Sequence, residues 1–203
     1  MSIEFVKHLK SRLLYGAPRG LHCGVGVRIE RPHRISHADL ISIGDRTTVG
    51  RGALIAPVRE YANVQYSPKV EIGRDVYIGP HLYLACVGRI TIGDGTVLSE
   101  HVFINDSSHG FDPERGLIMQ QELVCPGDIT IGENCFLGLR TAILPGVVLG
   151  DHCVVGVNSV VTKSFPPYSM IAGAPAVLIK RYSLDQKQWV RVRPEESETT
   201  SID

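Results

Sequence analysis

The sequence predicts an all-β chain wound as a parallel β-helix of hexapeptide repeats, and three observations carry that prediction. First, residues 131–166 place an aliphatic side chain at every sixth position: Ile131, Leu137, Ile143, Leu149, Val155 and Val161. Second, glycine follows the anchor at Gly132, Gly138, Gly150 and Gly156, with Leu144 interrupting the run. Third, the fifth residue of each unit is small: Cys135, Thr141, Val147, Cys153 and Ser159. A helix buries a stripe at about 3.6 residues and a simple strand alternates in twos, so neither produces a period of six. A short strand plus a corner does. One large anchor with one small partner is what a narrow core holds, and glycine serves where backbones turn or pack closely.

Taken in order, the chain begins with a segment of different character. Ile3, Val6, Leu9, Leu13 and Leu14 recur at near-helical spacing with Lys7, Lys10 and Arg12 between them, which predicts a short amphipathic helix. Its expected role is a cap over the first coil; a membrane-surface anchor is the alternative. Residues 20–42 carry weak strand signals and read as an irregular first coil, so residues 1–40 form a cap. The repeat then starts with Ile43-Gly44 and Val49-Gly50, followed by Ile55. It resumes with Ile72-Gly73, Ile78-Gly79, Leu84 and Ile90, slips by two residues, and continues with Ile92-Gly93, Leu98 and Ile104. At three units per turn, residues 41–182 wind roughly six to seven coils. Two stretches, about 57–70 and 107–128, fall outside the repeat and read as loops, which in repeat proteins often serve the working face. After Pro175, residues 177–182 read as a last strand and 183–192 as a short helix. Residues 194–203, rich in Glu, Ser and Thr, read as a disordered tail.

Composition sets bounds. The 203 residues hold 21 basic and 21 acidic side chains, a formal net charge of zero, and show no nucleic-acid stripe. No apolar run reaches the length of a membrane span, and the first 17 residues lack the uninterrupted apolar centre of a signal peptide; the expectation is a cytoplasmic protein. The five cysteines have no CxxC spacing and an odd count, which supports neither a disulfide framework nor a zinc knuckle. Cys135 and Cys153, 18 positions apart in the small-residue column, are expected to stack as buried thiols.

Of eight histidines, His109 stands apart. It closes the unit that begins at Ile104, and the longer loop opens behind it. An imidazole held by a rigid coil and covered by a loop suits proton transfer near neutral pH.

Several segments together resemble the left-handed β-helix O-acetyltransferases, which include the maltose and galactoside acetyltransferases and the colanic-acid type of polysaccharide biosynthesis. They are residues 104–112 around His109, Ile129-Thr130-Ile131-Gly132, the run Ile143 to Gly150, Ser159 to Lys163, and Ala172-Gly173-Ala174-Pro175-Ala176. The resemblance covers residues 41–182. It implies a homotrimer with active sites between subunits, acetyl-CoA in the groove between two helices, no metal, and the matching histidine as general base on an acceptor hydroxyl. Carried over by position, His109 is that base. Asn105, Asp106 and Glu122 are expected to orient it or to touch the acceptor, and His81 and Tyr83 to contact a sugar. Thr162 and Lys163 match a pair near the CoA phosphates. Leu139 and Val157 match positions whose backbone meets the pantetheine arm, and Lys180, with Arg181, matches a basic residue near the nucleotide.

The sequence also departs from that family. Gly79 and Val87 replace an Asn and an Asp of the galactoside sugar pocket, Phe136 replaces a common Trp, and Val177 replaces an Arg. A different acceptor pocket follows. An amino-sugar N-acyltransferase and a non-catalytic β-helical scaffold remain as alternatives. The γ-type carbonic anhydrases place two zinc histidines five apart, whereas His101 and His109 are eight apart.

Overall fold

A computed structural model describes residues 16–192. The expected N-terminal helix, with His8, and the C-terminal tail lie outside the described residues.

The strands come in threes, and each pairs in parallel with the strand one turn later. The first side of the coil is built from His22–Cys23, Ile41–Ile43, Lys69–Ile72, Arg89–Ile92, Ile129–Ile131 and Val148–Leu149. The second side holds Arg28–Ile29, Thr48–Val49, Tyr77–Ile78, Val97–Leu98, Phe136–Leu137 and Val154–Val155. The third holds Arg34–Ile35, Leu54–Pro57, Tyr83–Cys86, Phe103–Asn105, Ala142–Ile143 and Val160–Val161. These make six complete turns. A seventh begins where Phe165 bridges to Leu149 and Ser169–Gly173 pairs with Val154–Val155. Residues 22–35 therefore form a regular turn, not the irregular coil expected; their two-residue strands are too short for a sequence pattern to register.

The six-residue period is a record of burial. All the anchors from Ile131 to Val161 are fully buried, as are the small partners Thr141, Cys153 and Ser159. Burying a side chain of this size contributes about 1.5–3 kcal/mol, and one ladder position repeats that gain at every turn. The two-residue slip between Ile90 and Ile92 has a simple cause. Both face inward, Ile90 between Val70 and Ile129, and Ile92 between Ile72 and Ile131. That turn is longer, with Arg74 and Asp94 separated by 20 residues where Glu133 and Asp151 are separated by 18.

Close approach explains the glycine column. A Cβ on Gly93 would lie 2.5 Å from the carbonyl carbon of Gly132 on the next turn. The first corner is stitched by side chains that take over backbone bonds. Thr96 Oγ1 donates to the Gly132 carbonyl and accepts from the Cys135 N–H, and Asp94 Oδ1 accepts the Arg74 N–H. Cys135 and Cys153 are buried on adjacent turns as expected, and the side-chain contact with Cys153, followed by burial, pushes the Cys135 thiol up.

Beyond the coil, Ala176–Ser183 folds back antiparallel on Ser169–Gly173, and Gln188–Arg191 pairs with it in turn. The predicted strand at 177–182 is present. The predicted helix at 183–192 is instead the second arm of a hairpin. Trp189 and Val190 favour a strand, and the open edge of Ala176–Ser183 supplies the partner. An aromatic ladder, His152 on Tyr168, Tyr168 on Tyr182, Tyr182 against Trp189, ties this hairpin to the coil. Among the described residues, no helix is long and apolar enough to cross a membrane.

Candidate active site

Both insertions leave the coil at the same corner, where the third side turns into the first. There they pack on each other. The earlier one forms a hairpin, Glu60–Tyr61 against Val64–Gln65. Its two central residues, Ala62 and Asn63, both have positive φ (48° and 64°), the geometry of a tight primed turn. The later one also opens as a hairpin, Ser108–His109 against Leu123–Val124, with His109 opposite Leu123. Gln121, buried inside this loop, is its internal staple. Its Nε2 donates to the Asp112 carbonyl at 2.9 Å, and its Oε1 accepts the Asp112 N–H at 3.0 Å.

His109 therefore stands on a hairpin arm at the foot of the loop. Its ring is half-buried, and Nδ1 is enclosed with no hydrogen-bond partner among the described residues. The ring meets Tyr61 of the earlier hairpin edge to face, with centroids 5.1 Å apart and planes at 66°. Tyr61 Oη donates to the Met119 carbonyl at 2.7 Å. Tyr66 Oη accepts the Leu123 N–H at 2.8 Å.

The residues expected to orient His109 are engaged elsewhere. Asp106 is fully buried, and its carboxylate accepts the N–H groups of Val87 (2.9 and 3.1 Å) and Gly88 (2.9 Å). It locks the corner of the preceding turn. Burial, with the Asp106 charge behind it, pushes the neighbouring Cys86 thiol up. Asn105 Oδ1 accepts from the Ser107 N–H and hydroxyl, both at 3.2 Å. Glu122 pairs with Arg115 at 3.1 Å on the exposed side of the loop. His81 and Tyr83 lie at the other end of the third side. His81 stacks on His101 at 4.7 Å and Tyr83 on Phe103 at 5.0 Å, one turn apart in each case. They share a corner with each other and not with His109.

The expected cofactor residues occupy three places. Leu139 and Val157 stack on adjacent turns at the second corner, where the Asn158 N–H donates to the Leu139 carbonyl at 2.8 Å. Thr162, exposed, and Lys163 follow the last strand of the third side, with the Lys163 ammonium 5.8 Å from the Phe165 ring centroid. Lys180 and Arg181 pair with Met170 and Ser169 near the start of the seventh turn's second side. Lys163 thus lies just before the first side of the seventh turn, and Lys180 and Arg181 lie beside its second side.

A groove of about 760 Å³ runs along the first side, beneath the earlier hairpin. Arg59, Gln65, Tyr66, Lys69, Arg89 and Asp128 line it. Tyr66 separates it from the hairpin arm that pairs with His109. Sequence reasoning missed Tyr61, Tyr66 and Gln121. Two tyrosines in one short insertion of a chain with 6% aromatics were the available signal for the first two.

Comparison with known proteins shows the family of the chain. Residues 128–163 match the family model described as the hexapeptide repeat of succinyl-transferase. Galactoside O-acetyltransferase of Escherichia coli (strain K12) is 30% identical over 142 residues, covering 70% of this chain and 67% of the relative. WcaF of the same organism, a candidate acetyltransferase of colanic acid biosynthesis, is 32% identical, covering 65% and 68%. The chain belongs to the hexapeptide-repeat acetyltransferases. A further relative in that family, WbbJ of E. coli K12, is a candidate O-acetyl transferase of lipopolysaccharide biosynthesis. It is 34% identical over 121 residues, and the match spans 57% of this chain and 62% of WbbJ. Among solved structures, a mutant of AntD, an N-acyltransferase from Bacillus cereus in complex with dTDP and coenzyme A, superposes with a TM-score of 0.66. It shares 22% identity over 92% of each chain. This likeness shows a shared fold.

Proposed function

We propose that this chain is an acetyl-CoA-dependent O-acetyltransferase acting on a hydroxyl of a sugar or glycan precursor. In this reading it works in the cytoplasm as a homotrimer of left-handed β-helices, with each active site between two protomers and His109 as general base. One observation carries the reading: in a member of an acetyltransferase family, an imidazole stands at the foot of the long loop, clear of the ion pairs and buried carboxylates around it.

The residues present fit acyl-CoA. The Leu139 and Val157 backbones stand one turn apart, as an extended arm lying along the coil requires. Lys163, Lys180 and Arg181 make no ion pair among the described residues, which leaves three cations for phosphates. The loop supplies further support: Phe111, Leu117 and Met119 are 76%, 67% and 69% exposed, an apolar tip suited to packing on a neighbouring copy.

Acetyl-CoA supplies the acyl group as a thioester. The protein's part is to hold the acceptor hydroxyl beside His109, take its proton as the new ester C–O bond forms, and return that proton to the coenzyme A sulfur as the thioester C–S bond breaks, because a neutral sugar hydroxyl is a weak nucleophile. No covalent enzyme intermediate is needed. Screening nucleotide sugars and glycosides with acetyl-CoA, by free thiol release and product analysis, tests the acceptor class and separates O- from N-transfer. His109→Ala is expected to lower turnover by about a hundredfold or more, the range of general-base loss, with CoA binding kept. Turnover equal to wild type removes His109 from this role.

A further inference from the structure

We infer that Tyr61 is a positioning residue for His109, and that the hairpin at 60–65 exists in this chain to brace the loop that carries the imidazole. This rests on the reading of His109 as the base. Enclosed and without a hydrogen-bond partner, Nδ1 leaves the ring plane unfixed by any bond among the described residues. An unfixed imidazole rotates about χ2, which moves its other nitrogen away from an acceptor proton. The edge-to-face contact with Tyr61, centroids 5.1 Å apart, restricts that rotation.

The brace is anchored at three points. Tyr61 Oη donates to the Met119 carbonyl, 58 residues away in sequence and near the loop's outer turn. Tyr66 Oη, on the far side of the same hairpin, accepts the N–H of Leu123, the residue opposite His109. Thus one tyrosine touches the imidazole and the loop tip, and the other holds the strand behind the imidazole. The hairpin itself is stiff: a two-residue turn joins its arms, and Ala62 accepts a left-handed conformation (φ 48°) that costs a residue with a Cβ. Strain of this kind persists where the surrounding structure requires it. No part of the six-residue repeat needs this hairpin, since the corner it leaves is closed by two residues, Val87 and Gly88, on the next turn.

The test uses the full chain with ¹³C-labelled histidine, His109 being assigned by the signal lost in His109→Gln. Tyr61→Leu removes both the ring and the hydroxyl; Tyr61→Phe keeps the ring and removes the bond to Met119. In Tyr61→Leu the His109 ring signal is expected to lose its ring-current displacement and broaden, while the other histidine signals stay in place and report an intact fold. Acetyl-CoA hydrolysis, followed as thiol release, is expected to fall on the order of tenfold in kcat, a part of what a general base supplies, with KM for acetyl-CoA within about twofold. Tyr61→Phe is expected to restore the ring signal and most of the rate. Should Tyr61→Leu fail to fold, Tyr61→Met, unbranched and able to fill an irregular gap, takes its place with the same expectations. A His109 signal unchanged in position and width in Tyr61→Leu, or in Tyr61→Met where that variant replaces it, overturns the inference. If the signal moves as expected but His109→Gln hydrolyses acetyl-CoA at the wild-type rate, positioning stands and the base assignment falls.

Discussion

Replacing Asp106 by Ala separates two accounts of this residue. Its neighbourhood to His109 in sequence suggests a catalytic partner, whereas the structure makes it a clamp. The carboxylate is fully buried and accepts two backbone N–H groups, those of Val87 and Gly88, through three contacts of 2.9–3.1 Å. Val87 is itself buried, so water does not readily replace the lost acceptor. Leaving a buried donor unpaired costs about 1–3 kcal/mol. Two donors put the expected loss at about 2–6 kcal/mol, partly relieved where Gly88 reaches solvent, so about 3 kcal/mol is the working figure. For a chain of this length each kcal/mol moves the melting temperature by about 2–4 °C, which predicts a fall of about 6–12 °C. Urea unfolding followed by circular dichroism, at fixed protein concentration, measures the loss. Turnover per folded molecule at low temperature, well below the new transition, is expected to stay within about threefold of wild type because His109 is not bonded to this carboxylate. Wild-type stability with turnover down a hundredfold refutes the clamp and restores Asp106 to the chemistry.

Three other outcomes follow from the same geometry. Gly93→Ala brings a Cβ within 2.5 Å of the next turn's backbone; the expected cost, read by urea unfolding, is about 1–3 kcal/mol, and a neutral result means the turns are not held at this separation. The Asp94 carboxyl lies below its ordinary value of 3.8 because the Arg74 N–H and then the Arg74 guanidinium bind its charged form. Its contribution is therefore complete above pH 3.8 and lost as pH falls below it, so Asp94→Asn should flatten the acid limb of stability in that window and leave the neutral limb's slope alone. Lys163→Ala should raise KM for acetyl-CoA and leave KM for the acceptor unchanged; the opposite pattern moves Lys163 out of the cofactor groove.

The fold was readable because its energetics repeat. Ile131, Leu137 and Ile143 occupy equivalent positions on three sides of one turn, so burial writes a period into the sequence. The glycine column was readable for the same reason, since the same close approach recurs at Gly44, Gly93 and Gly132. Where nothing repeats, the sequence was mute or misleading. The first turn, with strands of two residues and few anchors, read as irregular. Residues 183–192 read as helix because the strand edge that recruits Trp189 and Val190 lies on a different segment. At the site, His109 could be singled out because it interrupts the repeat beside a loop. Its contact with Tyr61 could not, because the two rings are brought together by insertions two turns apart at the same corner. Asp106 misled for the converse reason: adjacency along the chain placed it beside His109, while the turn of the coil aims its carboxylate at Val87 and Gly88.

A crystal structure of the protein with coenzyme A tests the central claim most directly. The expectation is a thiol sulfur within about 4 Å of the His109 imidazole, near enough for a hydroxyl lodged between them to pass its proton to the ring, with a second protomer forming the opposite wall. Coenzyme A bound along another face, or beside His109 with its sulfur turned to solvent and one protomer supplying every contact, contradicts it.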